Sequence, residues 1–431
     1  IAQTLRFRKE YFYFLESTVV NLANQARLGL EKANGREMDV YYHATWAESP
    51  TCDAFGVGGV FDSWSPEEHQ RRYDYTPDFI WSNTVHQASA ACSNYFLWNE
   101  FLTGGNNDIP EGGFADRNYY ARAIACSLAA LNRKPLASAG MWGMPFGPFE
   151  RMLAVSEVYG ALGYPTYRSV QDYSIRQTEV LFLYPQDLVS VDERFGSWMT
   201  QYGYANYITA EKLVQYGKVA SGGSLQVKDS TYNTLCVLYE PFPSLELLTM
   251  IKDFVSNGGK VIWSSIPPFK TTGFDPATWM EEIFGIQLEP TLDPLGLALP
   301  GREITFTGSL SQVPPQVILT EFTVDRVFPI KPADQVETVA TIRTGGPKRQ
   351  RIIGSRKEYP GGGQAIFLGF RPRDDQAAST GSETRTWFEV LNCLGSYPSA
   401  KSVGESDNPT VISRTTGYLA TTFANGTIGI C

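Results

Sequence analysis

The sequence predicts an α/β protein with two successive regions built on parallel strands. Short buried-strand patterns alternate with helical patterns from residue 38 to about 170, and the alternation resumes from 178 to 264. Long loops follow the strands of the first region. The stretch 300–360 differs, because Thr, Val, Pro and Gly form short alternating runs without helical spacing. We therefore expect antiparallel strands there, inserted into the second region.

The first region begins with a long helix. Apolar residues recur at helical spacing from Leu5 to Leu30, and Asn34-Gly35 ends the pattern. The predicted strands are 38–46, 77–81 and 135–141, the predicted helices are 87–102, 116–132 and 148–162, and a loop holds Gly56, Gly58 and Gly59. These elements amount to about half of a (β/α)₈ barrel over residues 1–172, with the active site at the carboxyl ends of the strands. We expect the chain to be a fragment of a longer protein, cut at both ends.

The second region is predicted to be a doubly wound α/β domain over residues 173–396. Its predicted strands are 178–184, 204–209, 234–238, 260–264 and 363–370, and its predicted helices are 192–203, 244–257 and 383–395. In helix 244–257, the inward residues are expected to be Leu245, Leu248, Ile251 and Val255. The antiparallel insertion occupies about 300–360. Residues 397–431 begin a β domain, with a hairpin turn at Asn425-Gly426.

Composition excludes several partners. Lys and Arg number 36 against 45 Asp and Glu, a net charge of −9, and no basic stripe appears, so we expect no nucleic-acid partner. No run of about 18 apolar residues is present, so we expect no membrane span. The six cysteines are scattered, without a CxxC pair or histidines at metal-ligand spacing. We therefore expect no metal and no cofactor.

Four segments of the second region carry a resemblance to a known architecture. They are TEVLFLYP at 178–185, LYEPF at 238–242, NGGKVIWSS at 257–265 and AIFLGFRPR at 365–373. With the barrel elements before them, they resemble glycoside hydrolases in which a (β/α)₈ barrel precedes a class I glutamine-amidotransferase-like domain, as in family 42 β-galactosidases with their trimerisation domain. The resemblance implies a glycoside hydrolase acting on a polysaccharide or oligosaccharide, and a homo-oligomer.

Amidotransferase chemistry is not expected in this domain. It requires a nucleophilic Cys on a sharp strand-to-helix turn and a His. No His follows His86, and Cys236 lies inside a predicted strand. We expect the domain to be catalytically inactive and to serve packing or assembly.

Two glutamates are the candidate catalytic residues, because glycoside hydrolysis uses a pair of carboxyl groups. Glu48 directly follows the strand 38–46. The alternative for Glu48 is a loop carboxylate that caps a neighbouring backbone. Glu100 belongs to an Asn-Glu pair that is typical of the acid/base residue in barrel hydrolases. The alternative for Glu100 is a carboxylate on the surface of helix 87–102.

Five further residues lie at or near predicted strand ends and are candidates for substrate binding. They are His43, Trp46, Asn83, His86 and Trp142. Trp can stack on the apolar face of a sugar, while His and Asn can hydrogen-bond its hydroxyl groups. Structural histidines and a core Trp are the alternatives. The strand 135–141 offers Ala137, Ser138 and Ala139 but no carboxylate, so a non-catalytic carbohydrate-binding protein of the same architecture is the competing hypothesis.

Overall fold

A computed structural model shows a mixed α/β protein whose chain divides into two compact units. The structure describes residues 2–36, 40–44, 57–61, 99–100, 135–136, 179–183, 185–189, 205–227, 230–271, 273–345, 349–373, 376–377, 382–383, 386–396, 420–422 and 428–430. The first unit consists of Ile1–Glu10, Glu179–Asp192 and Ile208–Ser399, and the second of Tyr11–Thr178, Glu193–Tyr207 and Ala400–Cys431.

The N-terminal helix and two pairs of parallel strands precede residue 179. Helix α1 (Ala2–Asn34) confirms the predicted long helix. Strand β1 (Val40–Ala44) pairs in parallel with β2 (Val57–Phe61), and β3 (Asn99–Glu100) pairs in parallel with β4 (Pro135–Leu136). The predicted strands 38–46 and 135–141 are thus found in part. The predicted strand 77–81 and the predicted helices 116–132, 148–162 and 192–203 lie outside the described residues.

Two predictions in this part of the chain are wrong. Gly58 and Gly59 lie inside strand β2, where a loop was expected, and they oppose Tyr41 and Tyr42 of β1. Their neighbours are β-branched or aromatic, and these residue types favour a strand once a partner is present. The helix expected over 87–102 does not reach its end, because residues 99–100 form β3. The apolar stripe of 87–102 gives no information on the partner strand β4, which lies about 35 residues later in the sequence. Pairing with β4 outweighs the local helical periodicity at residues 99–100.

A nine-stranded sheet has eight strands wholly in the first unit, and Ile208 of its ninth strand belongs to this unit as well. Its strands are β5 (Val180–Leu183), β6 (Asn206–Ile208), β10 (Thr234–Leu238), β11 (Lys260–Ser264), β13 (Glu303–Phe306), β14 (Gln316–Val317), β16 (Glu337–Arg343), β17 (Gln350–Glu358) and β18 (Gln364–Leu368). Their spatial order is β14-β13-β16-β17-β18-β11-β10-β5-β6. Strands β5, β10, β11 and β18 pair in parallel, and β17, β16, β13 and β14 add to them as antiparallel strands.

The remaining described elements precede, separate or follow the strands of this sheet along the chain. The helices are α2 (Gln186–Val189), α3 (Ala210–Tyr216), α4 (Leu245–Ser256), α5 (Pro276–Phe284) and α6 (Thr386–Cys393), with 3₁₀ turns at Gly308–Leu310 and Thr323–Asp325. The short strands are β7 (Gly217–Ala220), β8 (Ser224–Val227), β9 (Ser230–Tyr232), β12 (Ile286–Leu288), β15 (Ile330–Pro332), β19 (Gln376–Ala377), β20 (Ser382–Glu383), β21 (Ala420–Thr422) and β22 (Ile428–Ile430). Strands β21 and β22 pair antiparallel, which confirms the predicted terminal hairpin.

The segment 300–360 extends the parallel sheet instead of forming a separate layer. Strand β18 lies between β11 on one side and β17 on the other, so the predicted return to a buried parallel strand is confirmed. The antiparallel character of 300–360 is confirmed as well, although two short 3₁₀ turns interrupt it. The core of the unit is therefore continuous across the change from parallel to antiparallel pairing.

Helix α4 shows how sequence and packing agree in this unit. Ser244 accepts a hydrogen bond from the Leu247 backbone N–H and caps the helix at its start. Five apolar side chains of the helix are buried, namely Leu247, Leu248, Ile251, Phe254 and Val255. Leu245 was expected to face inward but is 53% exposed. It is the first helical residue, and Leu247 takes the buried position of the first turn.

The loop after α4 leaves no room for side chains. Gly258 has φ +105, and a Cβ on Gly259 would lie 2.3 Å from the Phe254 ring. A Cβ on Gly363, at the start of β18, would lie 1.9 Å from the Val255 carbonyl oxygen. Glycine is therefore required where the end of α4 meets the strands β11 and β18.

Candidate functional site

The seven residues predicted for a sugar site fall mostly outside the described structure. His43 belongs to β1 and Glu100 to β3, each in a parallel strand pair. Glu100 thus lies in a strand and not in the helix expected over 87–102, and its role stays a prediction. The other five, which are Trp46, Glu48, Asn83, His86 and Trp142, lie outside the described residues, so their roles stay predictions.

A sharp turn follows β10, at the position where an amidotransferase nucleophile would be expected. It holds Tyr239, whose φ is +55. Cys236 lies three residues earlier inside β10 and is fully buried, as predicted, and burial raises the pKa of its thiol well above the usual value. A buried protonated thiol within a strand is not a nucleophile, so this turn lacks the Cys that the chemistry needs.

In the first unit, two acidic side chains lie at the C-terminal ends of two adjacent strands. Asp187 lies four residues after β5, and Glu240 lies two residues after β10. In the sheet, β5 lies between β6 and β10. The chain passes from β5 to β6 on one side and later returns to β10 on the other side. Such a reversal is a topological switch point, which in doubly wound sheets is the usual position of a ligand-binding crevice. We call this position the switch-point crevice.

Lys9 of helix α1 reaches into the switch-point crevice. Its Nζ donates hydrogen bonds to Asp187 Oδ2 at 3.0 Å and to the Phe242 carbonyl oxygen at 3.2 Å. The same Nζ lies 3.6 Å from Glu240 Oε1. The Asp187 and Glu240 side chains are 2% and 7% exposed, and that of Lys9 is 19% exposed. The ammonium group therefore meets two buried carboxyl groups and a carbonyl.

The electrostatics of this cluster follow from burial. Burial and, next, the charge of Glu240 raise the pKa of Asp187 from 3.8 to about 8 against the opposing effect of Lys9. Burial likewise raises the pKa of Glu240 against the effect of Lys9. Burial lowers the pKa of Lys9, but the charges of Glu240 and Asp187 outweigh it and hold this pKa above the usual value. Lys9 is therefore charged near neutral pH, and both carboxyl groups hold their protons to a higher pH than exposed carboxyl groups do.

A second buried polar cluster covers the ends of β11 and β18. The Asp325 Oδ1 accepts a hydrogen bond from Arg371 Nε at 2.8 Å, and Nη2 of the same guanidinium lies 2.8 Å from it. Gln316 donates to the Arg371 carbonyl and accepts from the Arg373 backbone N–H. Ser265, with φ +67, donates its hydroxyl to the Val324 carbonyl. These contacts join the antiparallel part of the unit to the carboxyl ends of the parallel strands.

The sequence contained a signal for the acidic half of the switch-point crevice. Asp187 and Glu240 follow buried strands, which is the same criterion that singles out Glu48. Lys9 gives no such signal, because it is one of many basic residues on a helix. Within the described residues, no group of three or more His, Cys, Asp or Glu side chains is placed to hold a metal ion. The described helices include none that is long and apolar enough to cross a bilayer.

Comparisons with known proteins identify the fold. No protein-family model and no curated protein match the chain. Among solved structures, it is similar to the GH42 beta-galactosidase Gan42B from G. stearothermophilus, with 12% identity, a TM-score of 0.55, and coverage of 96% of this chain and 60% of that chain. It is also similar to the cold-adapted beta-galactosidase from Rahnella sp. R3, with 11% identity, a TM-score of 0.57, and coverage of 96% and 61%.

These similarities show a glycoside hydrolase-like α/β fold. The chain spans about 60% of the length of the structures it matches.

Proposed function

We propose that this chain is part of a glycoside hydrolase that acts on a polysaccharide or oligosaccharide. The observation that carries the proposal is the similarity of fold over 96% of the chain to two beta-galactosidases. The parallel strand pairs β1-β2 and β3-β4 support it, because parallel strands are the building units of a (β/α)₈ barrel. In this proposal, residues 1–172 are the C-terminal part of such a barrel.

Glu48 and Glu100 are the proposed catalytic carboxyl groups, one acting as acid and the other as nucleophile or base. In this scheme the sugar stacks on Trp46 and Trp142. Its hydroxyl groups are bound by His43, Asn83 and His86. The position of Glu100 in β3 supports a role at a strand end.

Residues 173–396 are proposed to form a glutamine-amidotransferase-like domain, and 397–431 the start of a β domain. Five strands of the sheet have the spatial order β6-β5-β10-β11-β18, which is the 2-1-3-4-5 order of flavodoxin-like doubly wound folds. Cys236 is buried within β10, and Lys9 fills the switch-point crevice. We assign this domain to assembly of a homo-oligomer, for which light scattering of the full-length protein is the test; a monomer would contradict the assignment.

The hydrolase proposal is tested by measuring release of the aryl group from a panel of aryl glycosides by the full-length protein. Glu48→Gln is expected to lower hydrolysis by on the order of 10²-fold or more, because a carboxyl group that contacts the transition state contributes several kcal/mol. Glu246→Gln, which changes an exposed carboxylate on α4, is the matched control and should leave the rate unchanged. Near-normal activity of Glu48→Gln would refute a direct role for Glu48.

A non-catalytic carbohydrate-binding protein is the second candidate. One observation favours it. If β4 is the seventh strand of the barrel, the residues after it, Ala137, Ser138 and Ala139, offer no carboxyl group at the position of a retaining enzyme's nucleophile. Titration calorimetry with oligosaccharides separates the two functions. Binding of a sugar without turnover of the corresponding aryl glycoside would support this candidate and contradict the hydrolase.

A further inference from the structure

The switch-point crevice is built from all three chain segments of the first unit. Lys9 comes from Ile1–Glu10, Asp187 from Glu179–Asp192, and Glu240 from Ile208–Ser399. Lys9 and Asp187 are 178 residues apart in the sequence. A single ammonium group therefore contacts all three segments, two of which are also joined by the pairing of β5 with β10.

The contacts of Lys9 are those of a site formed around a primary ammonium group. Such a group has three N–H donors. Lys9 Nζ directs hydrogen bonds to a carboxylate at 3.0 Å and a carbonyl at 3.2 Å, and a second carboxylate oxygen lies 3.6 Å away. The Phe242 ring adds an apolar wall, with its centroid 6.0 Å from Nζ. A quaternary ammonium has no N–H group and could not make these bonds.

Tyr239 supplies an independent observation at the same place. Its side chain is 0% exposed, and its hydroxyl has no hydrogen-bond partner within the part of the chain that the structure describes. Burial raises the pKa of this phenol above its usual value, and the charge of Asp187 contributes to the shift. A buried hydroxyl on the residue directly before Glu240 is a further polar group available to a ligand in the crevice.

We propose that the switch-point crevice is a binding site for a primary ammonium group and that Lys9 fills it as an internal ligand. In doubly wound folds this position binds an external ligand. Here helix α1 of the same chain occupies it, and the resulting ion pairs hold the first ten residues onto the sheet. This proposal concerns the first unit alone and does not depend on hydrolase activity.

Chemical rescue tests the proposal directly. Lys9→Ala removes three methylene groups and the ammonium, which together have the size of propylammonium. Because the Lys9 side chain is 19% exposed, truncation leaves a path from solvent to the carboxyl groups. Propylammonium chloride is expected to raise the Tm of Lys9→Ala by about 2–4 °C at saturation. Tetramethylammonium chloride at equal ionic strength should have no effect, and the wild type should respond to neither salt.

Two further variants control the experiment. Lys252→Ala removes a lysine whose side chain is 51% exposed and pairs with Glu282 at the surface. Propylammonium should leave the Tm of this variant unchanged. Lys9→Ala combined with Asp187→Asn and Glu240→Gln removes both ionisable carboxyl groups of the site, and the rescue should be lost. Equal responses of Lys9→Ala to the two ammonium salts, or a Lys9→Ala Tm equal to that of the wild type, would overturn the proposal.

A folding defect in Lys9→Ala would not end the test. In that case the yield of soluble protein after refolding becomes the readout. A yield that rises with propylammonium and not with tetramethylammonium supports the ammonium site. A yield that is the same in both salts overturns it.

Discussion

The Asp187→Asn substitution tests the charge state of the buried carboxyl pair. Asn keeps the shape of the side chain and an oxygen acceptor for Lys9, but it cannot ionise. The charged groups that act on the Asp187 carboxyl are Glu240, Lys9 and Glu10. The substitution therefore mimics the protonated form of Asp187 with little change in packing.

The sign of the expected pH dependence follows from the raised pKa. In the folded protein Asp187 keeps its proton up to about pH 8, whereas the unfolded chain loses it near the usual value of 3.8. Between these values the folded state binds more protons than the unfolded state, so stability falls as pH rises. The favourable contribution is fully present below the unfolded pKa and is lost progressively as pH rises through the folded pKa.

The size of the effect follows from the same shift. A change of about four pKa units corresponds to roughly 5 kcal/mol, lost from the stability of the wild type between pH 4 and pH 8. Asp187→Asn removes this loss. The variant should match the wild type near pH 4 and be more stable than the wild type by several kcal/mol at pH 8.

Amide hydrogen exchange of β10, measured by mass spectrometry on both proteins at pH 5 and pH 8, provides the assay. Comparing the two proteins at the same pH removes the intrinsic effect of pH on exchange. The protection of Asp187→Asn relative to the wild type should increase from pH 5 to pH 8. An unchanged ratio, or wild-type protection that gains on the variant, would show that burial does not raise the Asp187 pKa.

Two further substitutions test packing in the first unit. Arg371→Met leaves the buried carboxylate of Asp325 unpaired and should lower the free energy of unfolding in urea by about 3–5 kcal/mol; a loss below about 1 kcal/mol would contradict the buried ion pair. Gly363→Ala forces a Cβ against the Val255 carbonyl and should lower Tm by several degrees, whereas Gly29→Ala on helix α1 meets no atom within 4 Å and should not. Equal Tm values for the two alanine variants would refute the packing argument.

The parallel core could be predicted from the sequence because each of its strands is a short apolar run that can be recognised without knowing its partner. Lys260–Ser264 forms a strand with the predicted bounds, since an apolar run follows the turn at Gly258-Gly259. Strand β2 could not be predicted in this way. Its residues Gly58 and Gly59 favour a turn when considered alone. The pairing with β1 that makes them part of a strand is a tertiary contact and has no local sequence signal.

The residues of the switch-point crevice also differ in whether the sequence indicates them. Glu240 and Asp187 could be found, because each follows a buried strand. Their partner Lys9 could not, because the contact joins residues 178 positions apart and no local pattern encodes it. The raised pKa of Asp187 is likewise caused by burial and by the charges of Glu240 and Glu10, and it has no counterpart in the sequence pattern.

The most direct test of the proposed hydrolase is the distance between the carboxyl groups of Glu48 and Glu100 in a crystal structure of the full-length protein with a bound sugar. A separation of about 5–5.5 Å across the glycosidic bond would indicate a retaining pair, and about 6.5–9.5 Å an inverting pair. Either result would support hydrolysis by these two residues. Carboxyl groups that lie farther apart than this, or away from the sugar, would contradict the account.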